Sequence, residues 1–278
     1  MKKMKKLLMA VLGASLLFGA MGVNASPEKD RKEILDLYKN KFPNIKFEDY
    51  VNGALNLSAD SLQQYRSIME FPPYDSEVDR GKKLWETPFK NGKKYVDCGN
   101  VGKNMAGHFP YFDEKLSKVV TYEMAINSCR KANGEEEYAY DDMKTMGLVT
   151  AYSRSLSDGM KMSVKVDGPK ALAAYEKGKE FFYQRRGQLN FSCAHCHMQQ
   201  VGTVIRTELM SPALGHAVHW PEFRGGDAVT TLQARYVQCN RQVRAVPFKP
   251  GSEEYNNLEY FHSYISNGLP MQTPVFRK

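Results

Sequence analysis

The stretch Phe191 to Gln200, FSCAHCHMQQ, places Cys193, Cys196 and His197 in the order C-x-x-C-H. No other pattern in the chain restricts its fold as strongly. Two thiols three positions apart lie about one turn apart on a helix, and a histidine follows at once. This is the attachment signature of a c-type haem: the thiols add to the two vinyl groups and the histidine faces the iron. A fold built on it must wrap a flat, largely apolar disc. Two other readings compete. A zinc site would need a second ligand pair, and His216 with His219 offers H-x-x-H downstream. A redox C-x-x-C would sit in a βαβ setting, for which the surrounding pattern gives no sign. The helical surroundings and the adjoining histidine favour haem. His195 fills an x position and needs no role.

The N-terminus adds a compartment. MKKMKKLLMAVLGASLLFGAMGVNAS opens with four lysines, continues with an apolar run from Leu7 to about Val23, and offers small residues for cleavage after Ala25. That is the layout of a secretory signal peptide over residues 1–25; the competing reading is an uncleaved anchor. No later segment is long and apolar enough to span a membrane, so the expectation is an exported, periplasmic protein of a bacterium with no membrane span after cleavage. Removing the leader halves the formal charge from +8 to +4. A mildly basic surface of that size fits an anionic small substrate or an acidic protein partner. It does not fit nucleic acid, because no stretch interleaves dense Lys and Arg with aromatics.

Apolar spacing near that of a helix runs through 61–71, 78–89, 121–131, 171–186 and 256–269. LSKVVTY is one of the few strand candidates. The fold class is therefore mainly α. The same features also recur in order. RGKKLWETPF (Arg80 to Phe89) parallels KGKEFFYQRRG (Lys177 to Gly187). The stretch Gly134 to Met162 parallels Gly251 to Met271, each with E-E-Y, then Y-x-x-S, then S-D-G or S-N-G and a methionine. Cys98 stands where the second half has Cys193 and Cys196, and Cys129 stands where it has Cys239. We read two tandem cytochrome c-like domains related by internal duplication, residues 26–165 and 166–278, with the break in KMSVKVDGPK.

The sixth iron position is open on the residues alone. Met198, Met210 and Met271 are ordinary candidates. Cys239, in ARYVQCNRQ, is another, because five cysteines in an oxidising compartment leave an odd thiol. Arg235 precedes Cys239 by four residues, so both side chains share a helix face.

The two-copy layout, the C-x-x-C-H of the second half and the run Ala234-Arg-Tyr-x-x-Cys-Asn-Arg-Gln242 resemble the SoxA family, the larger subunit of SoxAX cytochromes of bacterial sulfur oxidation. The resemblance runs from about Ser61 to Phe276. Some members carry two haems. Here the first half reads Cys98-Gly-Asn-Val, with no second cysteine and no adjoining histidine, and His108 is too distant to complete a motif. The resemblance thus implies one covalent haem on Cys193 and Cys196, axial ligands His197 and Cys239, a first domain without haem, and a Cys98–Cys129 disulfide. Closing a loop of about 30 residues would stabilise by roughly 3–4 kcal/mol on the chain-entropy model.

The resemblance further implies an L-cysteine S-thiosulfotransferase that joins thiosulfate oxidatively to a cysteine of a SoxYZ-like carrier. Cys239 would act as the catalytic sulfur, carried as a persulfide. Arg235 would bind the thiosulfate dianion, since a guanidinium fork can hold two sulfonate oxygens. Arg241 and Arg244 are weaker candidates for the same anion or for haem propionates. A SoxX-like small cytochrome c is the expected partner in a heterodimer. EFRGGDAV, Glu222 to Val229, has the glycines for a loop at the pocket mouth. The alternatives are a plain electron-transfer cytochrome with methionine ligation and a binding module in which haem only fills the core.

Overall fold

The structure, a computed structural model, describes residues 26–277; the expected leader over residues 1–25 lies outside the described residues. The chain is mainly helical. Helix α1 (Pro27–Lys41) leads through a 3₁₀ stretch, Phe47–Leu57, to α2 (Ala59–Glu70) and α3 (Asp75–Glu86). The hairpin β1 (Tyr111–Asp113) and β2 (Lys118–Val120) precedes α4 (Tyr122–Ala132), and α5 (Leu148–Ser155) closes the first half. The second half holds α6 (Pro169–Tyr183), the hairpins β3 (Val204–Ile205) with β4 (Glu208–Leu209) and β5 (Glu222–Arg224) with β6 (Ala228–Thr230), then α7 (Leu232–Gln242), α8 (Glu253–Ile265) and β7 (Val275–Arg277). Strand β7 returns parallel to β5. The five segments with helical spacing fold as α2, α3, α4, α6 and α8. Among the described residues, no helix is long and apolar enough to cross a membrane.

Local chemistry explains the ends of these helices. Ser26 accepts from Lys29 N at the start of α1, Pro27 occupies the first turn, and Lys39 and Lys41 face the negative C-terminal end. Thr121 and Thr231 cap α4 and α7 in the same way, each accepting from the amide three residues on. Each of these helices follows a short antiparallel hairpin, and each carries a cysteine at its eighth residue, Cys129 and Cys239. In each half, too, a glycine on the leading helix lets a closing helix cross in backbone contact. A Cβ at Gly81 of α3 would run into the Leu148 carbonyl of α5, and one at Gly178 of α6 into the Asn257 carbonyl of α8.

Packing does not follow chain order. Ile34 and Tyr38 of α1, with Tyr50 and Val51, belong to the large core of the second half, beside Tyr175, Phe182, Leu258 and Phe261. Met271 from near the C-terminus is buried in the core of the first half, with Trp85, Phe89 and Tyr95. A third cluster stacks Tyr74 on Phe223 at 4.4 Å and joins the two. The connectors 159–162 and 268–271 pair through Gly159 N–Met271 O, Met271 N–Met160 O and Met162 N–Leu269 O, all 2.8–2.9 Å. The division at residue 165 expected from the chain thus cuts across shared cores.

In the first half, Cys98 and Cys129 form a disulfide with their Cα atoms 5.8 Å apart. Around it Trp85 stacks on Tyr95 at 4.6 Å, Phe89 meets the same tyrosine edge-on, and Arg130 donates to the Tyr95 hydroxyl. Aromatic side chains fill this core.

A polar group is also buried where α7 meets α8. Glu259, 4% exposed, accepts from Gln233 Nε2 at 2.9 Å. Burial raises its carboxyl to about 8, with Glu123 adding to the rise while the Gln233 hydrogen bond and Arg154 oppose it.

Two predictions follow from this packing. Gly178→Ala should destabilise the protein by about 3 kcal/mol, at the upper end for overpacking because the obstacle is backbone. Chemical denaturation reads this directly, and wild-type stability would contradict the crossing. Glu259 holds a proton in the folded state at a pH where the unfolded chain has lost it. Its stabilising share is therefore full below about pH 4.5 and declines up to about pH 8. Glu259→Gln should gain on the wild type as pH rises from about 5 to 8; parallel profiles would refute the buried proton.

Candidate haem and sulfur site

The attachment motif lies on one short helical run. Ser192 Oγ accepts from His195 N at 3.0 Å and starts it. Cys193 and Ala194 are α-helical, and a wide π-type turn, His195–Gln199, continues it. Wide turns of this kind collect at functional sites. Both thiols and the His197 ring are half-buried. His197 Nδ1 sits 2.9 Å from the Ser211 carbonyl. A carbonyl can only accept, so Nδ1 carries the proton and Nε2 presents a lone pair. Burial pushes this imidazole down to about 4, with the Ser211 bond opposing and Arg235 adding to the fall, so it is neutral at pH 7.

Second-layer histidines surround it. His216 packs edge-on at 4.3 Å, its Nε2 2.8 Å from Ser211 Oγ. His262 bonds the Tyr236 hydroxyl through Nδ1 at 2.7 Å, while its buried Nε2 lacks a protein partner. His219 bonds Glu222 instead, 3.1 Å away. His216 and His219 thus point to different partners, and among the described residues no group of three or more His, Cys, Asp or Glu side chains could hold a metal ion. The zinc reading of H-x-x-H finds no support.

Helix α7 brings the other half of the site. Leu232, Gln233, Tyr236 and Asn240 form its buried face, which leaves Arg235 and Cys239 half-buried together. Cys239 is a free thiol, since the first-half cysteines are bonded to each other. Burial raises the Cys193 thiol to about 12, helped by Cys239 and Cys196; Cys196 is likewise raised by burial and then by Cys239. The three sulfurs therefore lie within electrostatic reach of one another. Burial raises Cys239 as well, and Arg235 and Arg224 pull it back. Arg235 also hydrogen-bonds Gln238 at 3.2 Å. Of the methionines considered as ligands, Met271 is buried in the first-half core, and Met198 Sδ accepts from the Tyr183 hydroxyl at 3.2 Å. Met210 lies after β4, its backbone paired with Gly202 and Thr203.

The sequence reading missed Arg224. It lies on β5 within the EFRGGDAV stretch, where Gly225 and Gly226 form the hairpin tip with positive φ. Its guanidinium is braced by Glu222 at 2.9 Å and Glu208 at 3.7 Å. Glu222, 3% exposed, is itself held by His219, Arg224 and Arg277. Burial works to raise its carboxyl, but the His219 hydrogen bond and the two arginines hold it below the usual range. Arg224 comes within electrostatic reach of Cys239 through the β5–β6 hairpin, and Arg235 through their shared helix.

Arg241 and Arg244 are exposed, on the outside of the site. They belong to a wider pattern. Residues 181–207 and 228–252 contain no Asp or Glu, yet hold Arg185, Arg186, Arg206, Arg235, Arg241, Arg244 and Lys249. The two segments pack together through Leu189 N–Val243 O at 3.3 Å and Arg186 Nε–Asn240 Oδ1 at 3.1 Å. The site therefore has a cationic rim.

The donor set fits a c-type haem: two thiols one turn apart, a neutral histidine whose Nε2 is left available, and a third thiol from a separate helix. Comparison with known proteins agrees. Residues 80–162, the half without C-x-x-C-H, match the SoxA/TsdA cytochrome c domain. The L-cysteine S-thiosulfotransferase subunit SoxA of Chlorobaculum tepidum is 44% identical over 98% of this chain and 95% of its own length. The subunit of the same name from Allochromatium vinosum is 41% identical over 97% and 96%. The crystal structure of SoxXA from P. pantotrophus superposes with a TM-score of 0.70 at 30% identity, covering 78% of this chain and 84% of that one. On this sequence and structural kinship, the chain belongs to the SoxA family of L-cysteine S-thiosulfotransferase subunits.

Proposed function

We propose that the chain is the SoxA subunit of a periplasmic L-cysteine S-thiosulfotransferase that joins thiosulfate to a cysteine of a SoxYZ-like carrier, paired with a SoxX-like cytochrome. The observation that carries this reading is the free Cys239 thiol, lying within electrostatic reach of both attachment cysteines and of two arginines. One covalent haem is assigned, on Cys193 and Cys196 with His197 and Cys239 as axial ligands. The Cys98–Cys129 bond and the aromatic filling around it support a first domain, residues 26–165, that holds none. The recurrence of glycine crossing, hairpin and threonine-capped cysteine helix supports descent of residues 166–278 and the first domain from one duplicated unit. Export through the residue 1–25 leader completes the assignment.

The net reaction takes a carrier thiol and thiosulfate to a carrier S-thiosulfonate, releasing one proton and two electrons. A bound haem, which Cys193, Cys196, His197 and Cys239 would hold, would supply a one-electron redox centre, so a second acceptor, the SoxX-like partner, would share the load. Arg235 and Arg224 hold the sulfonate oxygens with charge-assisted hydrogen bonds. They turn the outer sulfur of thiosulfate toward Cys239. Their charge also favours anionic sulfur at that position. Cys239, carried as a persulfide, is where the thiosulfate sulfur and the carrier cysteine meet. The rim of Arg185, Arg241 and Arg244 draws in both the dianion and an acidic carrier surface.

Cys239→Ala should abolish turnover with thiosulfate and carrier while intact mass still shows haem on Cys193 and Cys196. Full activity in that variant, or a methionine-type ferric spectrum in the wild type, would overturn the reading. Arg235→Gln should raise the thiosulfate KM roughly 10- to 100-fold, the loss of one or two charged hydrogen bonds, with the ferric spectrum unchanged; an unaltered KM would remove Arg235 from the substrate site.

A further inference from the structure

The helix that opens the described chain has no counterpart in the second half, yet it reaches the attachment turn directly. Tyr38 of α1 is fully buried, and its hydroxyl donates to the backbone carbonyl of His197. The same oxygen accepts from Ala213 N at 2.9 Å, and Ala213 N also meets the His197 carbonyl at 3.0 Å. One turn on, Lys41 Nζ donates to the Gln199 carbonyl at 3.1 Å. These two carbonyls close the C-terminal end of the attachment turn, where a helix runs out of amide donors. Side chains of α1 supply the donors, one of them a cation at the negative end.

The rest of α1 is anchored at other points on the same half. Asp30 pairs with Lys179 of α6 at 2.7 Å and accepts from the Tyr175 hydroxyl at 3.2 Å. Arg31 donates to the Asn267 carbonyl at 2.7 Å, and the Asn267 side chain bonds both Val164 N and O at 2.8 Å. Burial raises the Tyr38 phenol far above its usual range, so it remains a donor at any working pH.

From this geometry we propose that Tyr38 is a positioning residue for the axial histidine: α1 acts as a strap whose phenol fixes the His197 peptide against residues 211–213, and so sets the ring's bond to the Ser211 carbonyl. The inference rests on His197 as an axial ligand. His197 is gripped twice by one short segment, through Nδ1 at Ser211 and through its own carbonyl at Ala213. Tyr38 bridges the second grip. Without its hydroxyl the His197 carbonyl keeps only the Ala213 amide, and a shift of the peptide away from residues 211–213 lengthens the Nδ1–H···O bond. That bond raises the basicity of the imidazole. A longer bond makes a weaker donor, which favours ferric iron less.

The test compares Tyr38→Phe with Ile34→Val, a packing change one turn away on the same helix, in the haem-loaded protein. Tyr38→Phe should alter the g-values of the low-spin ferric EPR signal and move the reduction potential upward. Ile34→Val should lower the denaturation midpoint and leave both readouts as in the wild type. An EPR signal and potential unchanged by Tyr38→Phe would overturn the proposal, as would equal changes in both variants. Should Tyr38→Phe fail to mature with haem, the exposed Lys41→Met decides: a shift in the same direction supports the strap, and wild-type values overturn it. A wrong axial assignment would read differently, because the wild-type signal itself would then lack a histidine ligand.

Discussion

The hydrogen bond from His197 Nδ1 to the Ser211 carbonyl is the contact on which the site depends. It selects the tautomer, turns the ring and leaves Nε2 as the ring nitrogen with an available lone pair. Neutrality of the ring follows from burial, and burial follows from residues 211–218 lying over the attachment turn. Those residues in turn are seated by the Tyr38 hydroxyl on Ala213 N and the Ser266 hydroxyl on Gly215 N, with Ser211 and His216 bonded to each other within the segment. A local three-residue motif therefore works only inside an arrangement drawn from α1, α8 and a distant loop.

Electrostatics divides the site into two sides. On the histidine side, the rings are buried or half-buried and desolvation lowers their pKa values. On the thiol side, Arg235 and Arg224 lie within electrostatic reach of Cys239, and the two segments that build the rim contain no Asp or Glu. Glu222, between those two segments, has a structural reason: it braces Arg224 and is surrounded by His219 and Arg277. A buried carboxylate with several donors is kept ionised and immobile, so Arg224 has a fixed direction rather than a flexible one.

The first half closes its core with a disulfide and packed aromatic rings. It has a glycine crossing and a hairpin before α4, as the second half has before α7, and Trp85 stacked on Tyr95 lies beside the Cys98–Cys129 bond. The connectors from each half then pair, and Met271 crosses into the opposite core. The halves share enough buried surface that neither is expected to be independent of the other.

Much was legible in the residues. C-x-x-C-H named the cofactor chemistry, because two thiols and a histidine at that spacing have few other uses. Helical periodicity located α2, α3, α4, α6 and α8, and the i, i+4 spacing put Arg235 beside Cys239 before any fold was known. These are short-range properties, carried by a few neighbouring positions on one element. Arg224 was not legible, since it stands 15 residues before Cys239 and is brought near only by the β5–β6 hairpin. Nor was Tyr38, an ordinary tyrosine on an amphipathic helix 159 residues from the carbonyl it holds. Contacts of that range arise from packing α1 on the opposite half of the chain, and no local pattern encodes them. Chemistry and element type came from sequence; which distant side chains steady and charge the site came from tertiary packing.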